Sequence, residues 1–282
     1  MRHDRLVALV AMALLLAPSA VRAEADKHDE GGEVDPFVLA MVALTGADPL
    51  PTARVRTAME KVAGAAVKDF KEEKGICSGS IGDQSATVSH MPVPIPWEDL
   101  EGPCETSWMW KDATAVMKAH RSHLLVVASG GDHSKLARCL LLTRVIAAMC
   151  EGEGVAGVYW GSGTVVIPPE TFVRANKTGE EDGIVPVLLW IDFRVQKNEG
   201  GTVDVLTTGL SEFGKPEIEV LGSKRDGQEV LELLFDLVPY LLKTDDVIKD
   251  GETVGRSEEE KLRVHYVHSK WDREGNVMKI EY

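Results

Sequence analysis

Val155-Ala-Gly-Val-Tyr-Trp-Gly-Ser-Gly-Thr-Val-Val-Ile167 decides the fold, because an apolar run passes there into two aromatics and then into a double-glycine break. Residues of this kind belong in a buried strand, and the glycines mark a strand break or bulge beside it. Upstream, Lys135 to Met149 carries Leu136, Cys139 to Leu142, Val145, Ile146 and Met149, a helix with little polar surface and therefore buried on most sides. Downstream, Pro168-Pro-Glu-Thr-Phe-Val-Arg-Ala-Asn176 starts a helix with proline at its first position, and Gly179 is expected to end it.

Further along, the odd positions Val187, Leu189, Ile191, Phe193 and Val195 are all apolar, which predicts a strand over 187–195 with Trp190, Asp192 and Arg194 on its opposite face. Gly200 and Gly201 make a hairpin loop to a second strand at Val203-Asp-Val-Leu206. A third, near Ile218 to Leu221, precedes a helix with capping-box spacing at Asp226 and Glu229. Pro239 is expected to bend or end that helix, and a hairpin of 262–267 with 277–282 closes the chain.

Toward the amino terminus, Phe37 to Leu44 reads as a central strand, and Thr52 as the cap of a helix through Ala66. Ile81 to His90 alternates like a strand, and Met91-Pro-Val-Pro-Ile-Pro-Trp97 must run extended because its prolines remove donors. Asp112 to His120 is a helix and His123 to Ser129 a buried strand. The expected class is α+β, with mainly antiparallel sheets and helices on one face, a first half of the ferredoxin-like split βαβ kind, and one compact domain of two similar-sized halves.

Gly157-Val-Tyr-Trp-Gly-Ser, Leu189-Trp-Ile, Thr207-Thr-Gly-Leu with Phe213-Gly, Glu217-Ile-Glu-Val220 and Asp250-Gly-Glu-Thr-Val-Gly255 together resemble one bacterial family, the domain of unknown function numbered 4261. The resemblance runs from about Phe37 onward and is densest between Trp97 and Gly255. It implies a shared fold and no reaction, so no catalytic residue follows from it.

The chain opens with Met1-Arg-His-Asp-Arg5, an apolar run Leu6 to Ala17, and small or aliphatic residues at Val21 and Ala23, which together read as a secretory signal cleaved after Ala23. The expected organisation is a leader at 1–23, a disordered polar segment at 24–35 and an α+β domain at 36–282, secreted or periplasmic and not inserted in the membrane. The whole chain has a formal charge of −14, and loss of the leader's three arginines and one aspartate takes it to −16. Such a field repels phosphate backbones, so nucleic acid is excluded as a partner. Of the four cysteines, Cys139 and Cys150 lie too far apart on one helix to bridge, which leaves Cys77 with Cys104, both in loop-like surroundings, as the one plausible disulfide.

Ser129-Gly-Gly-Asp-His133 lacks the spacing of a nucleotide-binding loop, and Asp132 would oppose an anion there. Gly161-Ser-Gly163 lacks the spacing of a nucleophile elbow, and the histidines have no metal-ligand spacing, so no cofactor and no metal are implied. Trp97, Trp108 and Trp110 either line a groove or anchor their own loops. If the segments ending at Trp160 and around Trp190 pair, then Trp160, Ser162, Trp190, Asp192, Arg194, Thr207 and Thr208 converge on a cleft for a small polar ligand or a protein partner. The expected product is an exported, non-catalytic binding or interaction module. A hydrolase with a carboxylate-containing polar site is the alternative.

Overall fold

The uniformly apolar run Phe37–Leu44 forms β1, and it is apolar throughout because both of its faces are covered. A computed structural model describes residues 37–131, 134–244, 246–271 and 275–282. The expected leader, the polar segment after it and His133 lie outside the described residues. The chain divides into two compact units, the first extending to Glu105 and taking in Met109–Tyr159 and Val166–Asn176. The second comprises Thr106–Trp108, Trp160–Val165 and Lys177–Tyr282.

In the first unit β1 is followed by α1 (Thr52–Ala63), β2 (Lys68–Glu73), β3 (Ile76–Ile81), β4 (Gln84–Met91), α2 (Trp97–Thr106), α3 (Ala113–Ala119) and β5 (Ser122–Gly130). Then come α4 (Lys135–Cys150), β6 (Val155–Trp160), β7 (Val165–Ile167) and α5 (Pro169–Asp182). The sheet order is β2-β3-β4-β5-β1-β6-β7. Met41 of β1 lies opposite both Leu125 of β5 and Tyr159 of β6. Met41 and Ala43 pack with Leu100 and Cys104 of α2 and Ala113 and Met117 of α3. The alternate residues Val42 and Leu44 point the other way, toward the face that α4 covers. Ten of the sixteen α4 residues are buried, which accounts for a helix apolar on most sides.

Three expectations change here. Helices cover both faces of this sheet, because its central strands offer apolar side chains to each. β1 is antiparallel to both β5 and β6, so those two strands, joined through α4, run parallel on either side of it, an arrangement compatible with the split βαβ reading. The single strand expected over Ile81 to His90 is instead a hairpin of β3 and β4, turned at Gly82 with φ 68°. Cys77 lies in β3 and Cys104 in α2 rather than in loops, and all four cysteines are buried free thiols, so the one bridge that the sequence left open is absent.

In the second unit a 3-10 turn at Val187–Leu189 leads into β8 (Asp192–Lys197), β9 (Val203–Thr208), a second 3-10 turn at Ser211–Phe213 and β10 (Ile218–Ser223). Helix α6 (Gly227–Lys243), β11 (Thr253–Val254), β12 (Leu262–His268) and β13 (Asn276–Ile280) complete it. The sheet order is β11-β12-β13-β10-β9-β8, antiparallel except where β10 meets β13. Asp226 caps α6 by accepting the Gln228 N–H at 2.8 Å. The helix buries Val230, Leu233, Leu234, Leu237, Val238 and Leu241 along one stripe, and Phe235 meets Phe193 edge-to-face at 5.1 Å. It continues past Pro239 to Lys243, and Gly179 likewise fails to end α5, which runs to Asp182.

Candidate functional site

The strand expected over 187–195 begins only at Asp192. Trp190 closes the 3-10 turn before it, its N–H donating to the Val187 carbonyl at 3.0 Å, so the pleat does not fix its direction. Its indole is fully buried, 6.1 Å from that of Trp160 and 6.1 Å from the Phe213 ring. The Gly161–Thr164 turn joins β6 to β7 as a hairpin, with Thr164 N–H bonded to the Gly161 carbonyl at 3.1 Å and half-buried Ser162 inside it. A Cβ on Gly163 would lie 1.8 Å from the Trp190 carbonyl oxygen, and one on Gly209 would lie 2.9 Å from the same atom. Gly163 and Gly209 therefore serve a close approach of backbones at Trp190.

Asp192 and Arg194 do share a face of β8. The Arg194 Nε donates to Asp192 Oδ2 at 2.5 Å, and its Nη2 donates to Thr164 Oγ1 in the glycine turn at 3.3 Å. Asp192 stands opposite Thr208 in the β8–β9 register. The Asp192 carboxylate is buried while the Arg194 side chain is 36% exposed, so the guanidinium is oriented from below and reaches solvent. Thr207, adjacent to Thr208, points to the opposite face and is fully buried.

Three further carboxylates are buried in this unit, and each holds a loop. Glu217 accepts the Thr207 hydroxyl at 2.7 Å and the N–H groups of Gly209 and Ser211 at 2.8 and 3.1 Å, which ties down the Thr-Thr-Gly-Leu segment. Glu219 accepts from the Ser269 hydroxyl and the Lys270 N–H. Asp204 accepts the Lys270 ammonium at 2.7 Å, the Gly222 N–H at 2.7 Å and the Asn198 amide at 2.8 Å. Burial by itself raises the Asp204 pKa. The donors from Lys270, Gly222 and Asn198 together outweigh it and hold the carboxyl below its ordinary range. Among the described residues no group of three His, Cys, Asp or Glu side chains is placed to hold a metal ion.

β8 ends the sheet order, so among the described residues one edge of its backbone has no strand partner, and its residues 194–196 help to line a cleft of about 630 Å³. Thr106, Trp108, Arg194, Val195, Gln196, Leu206, Leu231 and Trp271 line it. Trp108 is 52% exposed and Val195 40%, while the Leu206 side chain is buried at the floor. Of the seven residues expected to converge, Arg194 lines this cleft. Trp160, Trp190 and Thr207 belong to the packed interior, Asp192 bonds the arginine with Thr208 opposite it in the ladder, and Ser162 lies in the turn whose Thr164 the arginine reaches. Trp108 was legible as one of three clustered tryptophans, of which Trp97 and Trp110 are half-buried anchors of the first unit. Trp271 and Leu231, far off in sequence, carried no signal. Chemically the cleft offers indole faces, an aliphatic floor, an oriented guanidinium and strand backbone.

Among the described residues no helix is long and apolar enough to cross a membrane. No curated protein and no solved structure matches the chain. Residues 206–281, from the end of β9 through β13, match the model of a family described as a domain of unknown function (DUF4261), the family that the sequence motifs resemble.

Proposed function

We propose that the second unit is a binding module whose cleft along β8 takes a short extended peptide carrying a carboxylate. The observation that carries this is Arg194, which Asp192 and Thr164 orient from inside while its remaining donors face a cleft walled by Trp108 and Trp271. A guanidinium has five N–H donors, and two are engaged here, which leaves a planar donor set suited to a carboxylate. The unpaired edge at Val195–Lys197 supplies backbone groups that an added strand pairs with, and the exposed Trp108 and half-buried Trp271 indoles supply contact area at low entropy cost. The volume lies within the range of ordinary ligand pockets. The export signal supports placing this binding outside the cytoplasm, and sequencing the amino terminus of the mature protein should start at Glu24.

Titrating acidic hexapeptides into the full chain, followed by tryptophan fluorescence, tests the module. Binding should weaken about tenfold or more in Trp108→Ala and in Arg194→Gln, typical of a central aromatic or arginine contact. Trp108→Ala should leave the unfolding midpoint nearly unchanged, whereas Arg194→Gln, which takes the guanidinium from the buried Asp192 carboxylate, should cost about 1–2 kcal/mol. Binding that ignores both substitutions, or none to any peptide of the set, would refute the proposal.

A further inference from the structure

In the first unit the segment between β4 and α2, Pro92-Val-Pro-Ile-Pro96, has three prolines and therefore only two backbone N–H groups. Its Pro96 carbonyl accepts the Asp99 N–H of α2 at 3.1 Å, and two imidazoles bond the segment to the rest of the unit. Ile95 N–H donates to His120 Nε2 at 2.7 Å, and the Val93 carbonyl accepts from His123 Nδ1 at 2.8 Å. The other His120 nitrogen, Nδ1, faces the Met117 carbonyl, so the ring proton belongs there and Nε2 accepts as an unprotonated atom. His90, at the end of β4, stands beside them. The Nε2 atoms of His90 and His123 are buried and have no hydrogen-bond partner among the described residues.

We propose that His120 and His123, with His90 beside them, form a proton-operated latch that ties the proline segment to the first unit while neutral and releases it when protonated. A proton on His120 Nε2 would set N–H against the N–H of Ile95 and convert the bond into a repulsion. A proton on His123 Nε2 would place charge on a buried atom with no acceptor, next to two other imidazoles. Burial is the main cause that lowers His123, with His120 and His90 adding to it and the Val93 carbonyl opposing. Burial likewise lowers His90, against the opposing Asp48 carboxylate and Ala47 carbonyl on the β1–α1 loop. Asp48 thus acts on His90 as an opposing carboxylate.

The closed state binds fewer protons than the open one, so its stability is full above the ordinary histidine value of about 6.5 and falls as pH drops through that value. Release would withdraw Ile95, 2% exposed, from its cluster with Leu100, Cys104 and Met117, and so loosen the start of α2 and bare an apolar patch.

Amide hydrogen exchange on the full chain at pH 7.5, 6.5 and 5.5, corrected for intrinsic rates, reads this directly. Opening of residues 93–100 should rise about tenfold per pH unit below 6.5 for one coupled proton, and up to about a hundredfold for two. The β1 and β5 amides should not follow. The double variant His120→Gln with His123→Gln, which cannot take up a proton at these positions, should flatten the response, while His265→Gln in the second unit should leave it intact. An unchanged slope in the double variant overturns the latch. If that variant does not fold, the wild-type profile decides alone: a flat one, or one in which β1 and β5 open together with the segment, overturns it.

Discussion

Replacing Glu217 tests whether the family-like Thr207-Thr-Gly-Leu segment is held by one buried carboxylate. Glu217 receives three hydrogen bonds, and Thr207, which gives one of them, also accepts the Ile218 N–H at 2.9 Å. In Glu217→Gln the amide oxygen can keep Gly209 and Ser211, but the amide NH₂ then faces a hydroxyl that needs an acceptor. One charge-assisted bond is lost, at about 1–2 kcal/mol. In Glu217→Ala two N–H groups and a hydroxyl lose their acceptor at about 1–3 kcal/mol each, and water entering the space recovers part of that, for a net cost of about 3–5 kcal/mol. Urea unfolding followed by tryptophan fluorescence measures both, because Trp160 and Trp190 are buried in the same unit. Glu199→Ala, exposed in the β8–β9 loop, is the control and should cost under about 0.5 kcal/mol. The reasoning fails if Glu217→Ala behaves like the control, or if glutamine costs as much as alanine.

Gly163→Ala should cost more than about 3 kcal/mol and disturb the buried indoles, since its Cβ meets the Trp190 carbonyl at 1.8 Å and the backbones must part; native-like near-ultraviolet dichroism at wild-type stability would contradict this. Burial pushes the Cys104 thiol up to about 11 and the Cys150 thiol up to about 12, so neither should alkylate at pH 8 before unfolding. Intact mass after alkylation in denaturant without reductant should show four modified thiols, and two would mean a bridge. Lys270→Met should destabilise by about 1–2 kcal/mol at neutral pH, a value discounted because half of the lysine is exposed. Because the Asp204 pKa is lowered by folding, that contribution is present above its ordinary carboxylate value and lost as pH falls through the folded one, so the two stability curves should converge in acid. Parallel curves down to low pH would rule out the pair as the cause.

Elements whose burial is one-sided or complete were legible: β1, β5, α4 and α6 each declare themselves by apolar period or run. What escaped was set by contacts distant in sequence. β2, Lys-Asp-Phe-Lys-Glu-Glu, is a charged edge strand with no alternation, and its charges suit an edge rather than a core. Helices on both faces of the first sheet were hidden because a strand apolar throughout does not say what covers each side. The period-two pattern over 187–195 misplaced Trp190 because a 3-10 turn also buries Val187 and Leu189. Around the candidate site, Asp192 and Arg194 were found by strand parity, which survives from Asp192 onward. Trp271 and Leu231 reach the cleft through the sheet order and the seating of α6, and neither leaves a mark in local sequence.

The most direct test of the binding account is the indole N–H spectrum of the ¹⁵N-tryptophan-labelled chain, with Trp108 and Trp271 assigned by substitution, during titration with acidic hexapeptides. Both of those resonances should shift in step with occupancy while the buried Trp160 and Trp190 stay in place. Shifts confined to Trp160 and Trp190, or a spectrum unmoved by every peptide, would contradict it.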